Sequence, residues 1–169
     1  MKSHVLLIMR HAKSDWSDYA AADFDRTLTD RGKRDAKKMG AWLKEKKIIP
    51  DMIISSPAVR TKRTALIVSR KTGFDPAGII WDKRIYDASL DDLLEVVAGH
   101  AHKSGRLLLI GHNPGLEELL AYLSDDQPEV NSTGKVMTTA AIAVLDYGSG
   151  PISTGKASAQ LMCLTRPRD

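Results

Sequence analysis

Val5-Leu6-Leu7-Ile8-Met9-Arg10-His11 is the stretch on which the fold turns: five apolar residues stop abruptly at an adjacent arginine and histidine. A run of that length near the N-terminus suits a strand buried on both faces, although periodicity alone does not exclude a buried helical segment. Open α/β sheets hold ligands beyond the carboxyl ends of their strands, so Arg10 and His11 fall where a site is expected. Alone, such a pair is more often a surface feature than a catalyst. The rest of the chain supplies the context.

Outward from that run, the chain alternates between strand and helix signals. Thr29 can cap a helix to about Lys47, with Ala36, Met39 and Leu43 in helical period and lysines near its end, and Pro50 closes it. Met52 to Ser55 reads as a short strand, followed by a helix starting at Ser56-Pro57, with proline in the first position, and running to about Lys71. Ile79 to Trp81 is a candidate third strand, and Ser89 with Asp92 resembles a capping box for a helix to about Ala101. His100 and His102 at its end suit the helix dipole better than a ligand site. Leu107 to Ile110 is another buried strand, turning through Gly111 to Pro114 into a helix over Glu117 to Leu123. Ala140 to Tyr147 and Gln160 to Leu164 have room for an antiparallel hairpin around Gly148 to Gly155. The pattern predicts a three-layer α/β/α fold, with a mostly parallel central sheet and that hairpin at its end.

Composition limits the function. The 169 residues are expected to form one domain, 1–169. The single Cys163 excludes an internal disulfide and a multi-cysteine zinc site, which fits a reducing, cytoplasmic setting. The opening Met1-Lys2-Ser3-His4 and the short apolar run behind it are too little for a signal peptide, and no run approaches the ~18 apolar residues of a membrane span. Without a secretory signal the Asn131-Ser132-Thr133 sequon carries no meaning. A net charge of +4 favours an anionic partner. Basic residues are interleaved with acids, and aromatics are only 5% of the chain, which argues against nucleic acid.

Three predicted strands each run into a cation: Arg10-His11, Arg60 and His112. Arg60 lies in the first turn of a helix, where free backbone amides favour anions, and Gly111-His112-Asn113-Pro114 repeats the arrangement with an imidazole. Parallel strands bring these ends together. Two guanidiniums and two imidazoles around one point suit a phosphoryl group, whose oxygens take forked donors from arginine.

The ordered segments Ile8-Met9-Arg10-His11-Ala12, Arg26-Thr27-Leu28-Thr29-Asp30-Arg31-Gly32, Ser56 to Thr61 and Ile110 to Asn113 resemble the motifs of the histidine phosphatase (phosphoglycerate mutase-like) superfamily. The short length and Met137 to Ala143 look most like its SixA-type phosphohistidine phosphatase branch. Ala12 departs from the glycine of the usual triplet, a mild change if the backbone there stays at negative φ. The resemblance implies that His11 is the nucleophile, with Arg10, Arg60 and a protonated His112 on the equatorial oxygens. It gives Arg26 a weaker phosphate contact or a place at the substrate's approach, and puts Asn113 beside the bound group. Asp87 looks like the proton donor of other branches; Asp15 competes with it, and the alternative role for Asp87 is to help cap the following helix with Ser89.

Gly150 to Ala157 spans a Walker A frame, but Ala157 replaces its magnesium-binding hydroxyl and a strand follows where a helix is needed. Asp23-Phe24-Asp25 lacks the ligand ladder of a calcium loop. No metal or cofactor is implied. The leading expectation is a metal-independent phosphatase acting on phosphohistidine of a protein. Alternatives are a phosphatase or mutase of a small phosphorylated metabolite, and an anion-binding module without turnover.

Overall fold

The first strand, β1 (Val5–Arg10), keeps Leu6, Leu7, Ile8 and Met9 entirely from solvent. Burial on both faces explains its unbroken apolar run. The computed structural model describes residues 3–168, so the Met1-Lys2 part of the leader reading lies outside the described residues. After β1 come α1 (Asp30–Glu45), β2 (Met52–Ser55), α2 (Val59–Thr72), β3 (Ile80–Trp81), α3 (Leu90–His100), β4 (Arg106–Gly111), α4 (Gly115–Leu123), β5 (Ile142–Asp146) and β6 (Gln160–Thr165).

The sheet has six strands in the order β3-β2-β4-β1-β5-β6. Strands β3, β2, β4 and β1 are parallel, whereas β5 pairs antiparallel with β1 and with β6. Alternate residues of each strand serve opposite layers. Leu7, Met9, Ile53, Leu108 and Ile110 pack with Ala36, Met39, Leu43, Ala65 and Val68 from α1 and α2. On the other face Leu6, Ile8, Ile54, Leu107 and Leu109 meet Leu93, Val97, Leu116 and Leu120 from α3 and α4. Truncating one of these buried leucines to alanine costs about 2–5 kcal/mol.

Register carries the functional consequence. Arg10 lies opposite Gly111, and Ser55 lies opposite Ile110, so three parallel strands end side by side. Backbone bonds continue the ladder one step further, His11 N to Gly111 O and Ser56 N to Ile110 O, both at 3.1 Å. The segments carrying His11, Arg60 and His112 therefore leave the sheet from one edge.

Several element ends differ from the sequence reading. Thr29 caps α1, its Oγ1 accepting from Gly32 N at 3.0 Å, but the helix stops at Glu45 rather than Lys47. Lys47 takes a left-handed φ of 58°. Helix α2 starts at Val59, not Pro57, because Ser56 Oγ accepts the Ala58 amide and holds Ala58 at ψ 145°. Ser89 and Asp92 do form the reciprocal capping box of α3. This helix ends at His100, whose Nδ1 donates to the Val96 carbonyl at 2.9 Å, and a short 3-10 turn follows. Strand β5 begins at Ile142 rather than Ala140, since Ala140 adopts φ 64° while its amide bonds the His11 carbonyl. No helix among the described residues is long and apolar enough to cross a membrane.

Candidate active site

A cavity of about 500 Å³ opens at the carboxyl edge of β1, β2 and β4. It brings together all seven residues singled out from the sequence: Arg10, His11, Arg26, Arg60, Asp87, His112 and Asn113. Lys13, Ser14, Trp16, Asp23, Tyr86 and Thr139 complete its lining.

His11 is 6% exposed, and its Nδ1 lies 2.7 Å from the Ala12 carbonyl oxygen. A carbonyl only accepts, so Nδ1 carries the proton and Nε2 keeps its lone pair. Burial pushes the imidazole down to about 3 against the pull of the Ala12 carbonyl, with His112, Arg60 and Arg10 adding positive charge nearby. The His112 ring sits 5.3 Å away, centroid to centroid, tilted by 53°. Its Nε2 is 2.9 Å from Ser56 Oγ, which accepts from Ala58 N; with the Ser56 hydroxyl proton assigned to this contact, Ser56 donates to Nε2. That assignment leaves the proton on His112 Nδ1. Burial, and then the charge of Arg60, push His112 down to about 4. Without a bound anion the site thus holds His112 neutral.

Arg26 and Arg60 are buried donors and Arg10 is half-buried. Arg10 Nη1 bonds the Met137 carbonyl at 3.0 Å, fixing the guanidinium from across the sheet edge. Arg60, 5% exposed, gives Nη1 to the Asp23 carbonyl at 2.6 Å and Nη2 to Asp23 Oδ2 at 3.0 Å. Arg26 is 7% exposed rather than on the open surface; it bonds Ser14 Oγ and, at 2.8 Å, Asp23 Oδ1, and stacks 3.5 Å over Trp16. Nε of all three arginines and His112 Nδ1 are buried without a partner among the described residues. Unpaired buried donors of this kind carry a cost, set here against the positive charge they help to concentrate.

Asp23 is the residue that sequence reasoning missed. It was read only as a failed calcium loop, while its position three residues before Arg26 was the available signal. The Tyr86 hydroxyl donates to its Oδ2 at 2.6 Å. That bond, with Arg26 and Arg60, holds the carboxyl well below the usual carboxylate range. Glu117 was also missed: its Oε1 accepts from Asn113 Nδ2 at 3.1 Å and from Met137 N at 3.0 Å. Asn113 Nδ2 bonds the Met137 carbonyl as well, at 2.9 Å, so this amide ties the wall together. Asp87 reaches the lining from a left-handed backbone at φ 53°. Asp15, the competing acid, lies outside that lining, its Oδ1 turned to the Ser17 amide at 2.8 Å. Among the described residues no group of three or more His, Cys, Asp or Glu side chains could hold a metal ion.

Residues 6–95 match the family described as histidine phosphatase superfamily (branch 1). An uncharacterized protein of Mycobacterium tuberculosis is 32% identical over 141 residues, 81% of this chain and 85% of the relative. An uncharacterized chloroplastic protein of Arabidopsis thaliana is 30% identical over 130 residues, 72% of this chain and 60% of the longer relative. Among solved structures, an Agrobacterium tumefaciens protein provisionally assigned as the phosphohistidine phosphatase SixA superposes with a TM-score of 0.78 at 25% identity, over 97% of this chain and 98% of the other.

Proposed function

Because the chain belongs to the histidine phosphatase superfamily, we propose that it removes phosphate from phosphohistidine on a protein, through a phosphohistidine intermediate on His11 and without a metal. The observation that carries this reading is the Ala12 carbonyl on His11 Nδ1, which presents Nε2 as a fixed, unprotonated nucleophile. Burial keeps it so throughout the physiological range, since a pKa near 3 leaves almost no imidazolium there.

In the first step His11 Nε2 bonds to phosphorus as the phosphorus–nitrogen bond of the substrate breaks. The departing imidazole takes up a proton from solvent. In the second step a water oxygen bonds to phosphorus and the bond to His11 breaks; the water gives one proton back to solvent, and inorganic phosphate leaves with His11 restored. Positive charge that builds on the His11 ring is shared with the Nδ1–H···O=C bond. Arg10, Arg60 and His112 supply the donors for the equatorial oxygens, the charge stabilisation that phosphoryl transfer chiefly demands. An incoming phosphoryl dianion also favours the protonated form of His112. An imidazole with a pKa of about 6.5 leaves more readily than an alkoxide, so Asp87 is needed less here than for an ester.

The likeness to the Agrobacterium tumefaciens protein supports the substrate class. So does the exposed rim, where Trp16 and Tyr19 are 64% and 98% accessible and offer apolar contact to a protein surface. A second reading, hydrolysis of a small phosphate ester, is favoured by the volume of about 500 Å³, which suits a metabolite. Phosphate release from a phosphohistidine-bearing protein, measured with chelator present for wild type and His11→Ala, tests the first reading. Release by wild type alone is expected. Release by both, or faster turnover of small esters, refutes it.

A further inference from the structure

A second cavity, of about 330 Å³, adjoins the first and shares Arg10, Lys13 and Thr139 with it. Its far side is cationic, formed by Arg31, Lys135 and Arg168. Arg31 and Arg168 both lean on one buried carboxylate, Asp35, at 3.6 Å and 3.0 Å. Among the described residues neither the Lys13 nor the Lys135 ammonium has an ion-pair partner. Among the described residues five cations, Arg10, Lys13, Arg31, Lys135 and Arg168, outnumber the carboxylates acting on them, Asp35 and, beside Arg10, Glu117, which leaves a net positive field beside the phosphoryl site. The buried Thr138 Oγ1, also in this lining, lacks a hydrogen-bond partner among the described residues. Trp16 and Tyr19 border a third, mostly apolar depression that shares Trp16, Asp23 and Arg26 with the phosphoryl site and no residue with the second cavity.

We infer that the second cavity receives aspartate or glutamate side chains flanking the phosphorylated residue of the protein substrate, making this a phosphatase for acid-flanked sites. The inference rests on the phosphohistidine-protein reading and adds a selection rule to it. The shared wall at Arg10 and Lys13 makes the two anion sites continuous, so one extended segment can place its phosphoryl group at His11 and a carboxylate near Lys135. The aromatic flank then meets the apolar part of the same partner. Forces of this kind act through partly exposed charges, so they raise kcat/KM through encounter and docking and fade with salt.

Two phosphohistidine peptides differing only in flanking Asp/Glu against Asn/Gln provide the test, with phosphoramidate as a small reference substrate. For wild type at about 0.05 M salt the acid-flanked peptide is expected to have about tenfold higher kcat/KM, a preference that shrinks toward parity by about 0.5 M. Lys135→Glu is expected to abolish the preference while leaving phosphoramidate turnover unchanged, and Lys135→Gln to fall between. Peptide affinity for His11→Ala, read by fluorescence anisotropy, keeps the two readings separable. An acid preference in binding without turnover by wild type sinks the phosphatase reading and upholds the acid site. Equal kcat/KM and equal affinity for the two peptides overturn the acid site and leave the phosphatase reading intact. A small bisphosphate that outcompetes the acid-flanked peptide, with the same loss in Lys135→Glu, overturns the protein source and assigns the cavity to a second phosphate.

Discussion

Acidification from pH 7 to pH 5 should weaken the folded state through the two histidines at the sheet edge. Both are pushed down from 6.5, His11 to about 3 and His112 to about 4, chiefly by burial. The folded chain therefore binds fewer protons than the unfolded one between pH 6.5 and those values. Their contribution is complete above 6.5 and drains away as pH falls toward 4 and 3. Each group whose folded pKa lies below 5 forfeits about 2 kcal/mol between pH 7 and 5, about 4 kcal/mol for the pair, from about 1.4 kcal/mol per pH unit. That is a large share of the roughly 5–15 kcal/mol by which domains are stable. Asp23 does not confuse the window: its depressed carboxyl contributes above its ordinary value of 3.8 and loses that contribution only below it. Urea unfolding followed by circular dichroism at pH 7, 6 and 5, for wild type and His11→Gln, isolates one histidine because every other titrating group is common to both. The variant should lose about 2 kcal/mol less than wild type over this range. Equal losses would refute the claim that the fold holds His11 neutral against its tendency to protonate.

Asp87→Asn keeps a side chain that tolerates the left-handed backbone at φ 53° and removes only the acid. It should slow alkyl phosphate hydrolysis by about 10²-fold or more and phosphohistidine hydrolysis by much less; equal losses in kcat would discredit Asp87 as proton donor. Asp23→Asn removes the charge that competes with an anion for Arg60 and Arg26, and should tighten inorganic phosphate binding by roughly 5–30-fold, equivalent to about 1–2 kcal/mol, in calorimetry. Weaker binding would mean that the carboxylate chiefly orients the arginines. Gly32→Ala would drive a Cβ into the Lys13 carbonyl oxygen, two residues beyond His11, the proposed nucleophile. A loss of about 1–3 kcal/mol, with reduced kcat, is expected from thermal unfolding and kinetics; unchanged stability would show that the backbone after β1 yields freely.

The site was legible where the sequence changes character sharply. Val5 to Met9, Met52 to Ile54 and Leu107 to Ile110 are apolar runs that end on polar residues, and parallel pairing turns those endings into one edge. Asp23 was hidden for a physical reason. It lies in an aperiodic segment where only the Arg26 spacing is local, and its partners Arg60 and Tyr86 are 37 and 63 residues away, so its place at the site comes from the tertiary fold. Local rules also failed at Ser56, where a side chain closes a turn before the helix can begin, and at Ala140, an alanine held at positive φ by its amide bond to His11. Neither signal is carried by propensity. The neutral state of His112 in the anion-free site was not legible either, because sequence shows neighbouring charges but not desolvation, which here comes first.

β1 occupies an interior place in the sheet, hydrogen-bonded by β4 on one side and β5 on the other, with helices over both faces. Its amides should exchange with solvent deuterium only when the whole domain opens, which makes it part of the last unit to come apart. His11, the proposed nucleophile, is thus attached to the part of the molecule that opens last, while Asp23, Trp16 and Tyr19 belong to a connecting segment of turns, one short 3-10 helix and an isolated Ser14–Leu28 bridge. Fitting different partners is a task for that segment, and because Asp23 holds Arg26 and Arg60, its adjustments reach the phosphoryl site through those two guanidiniums.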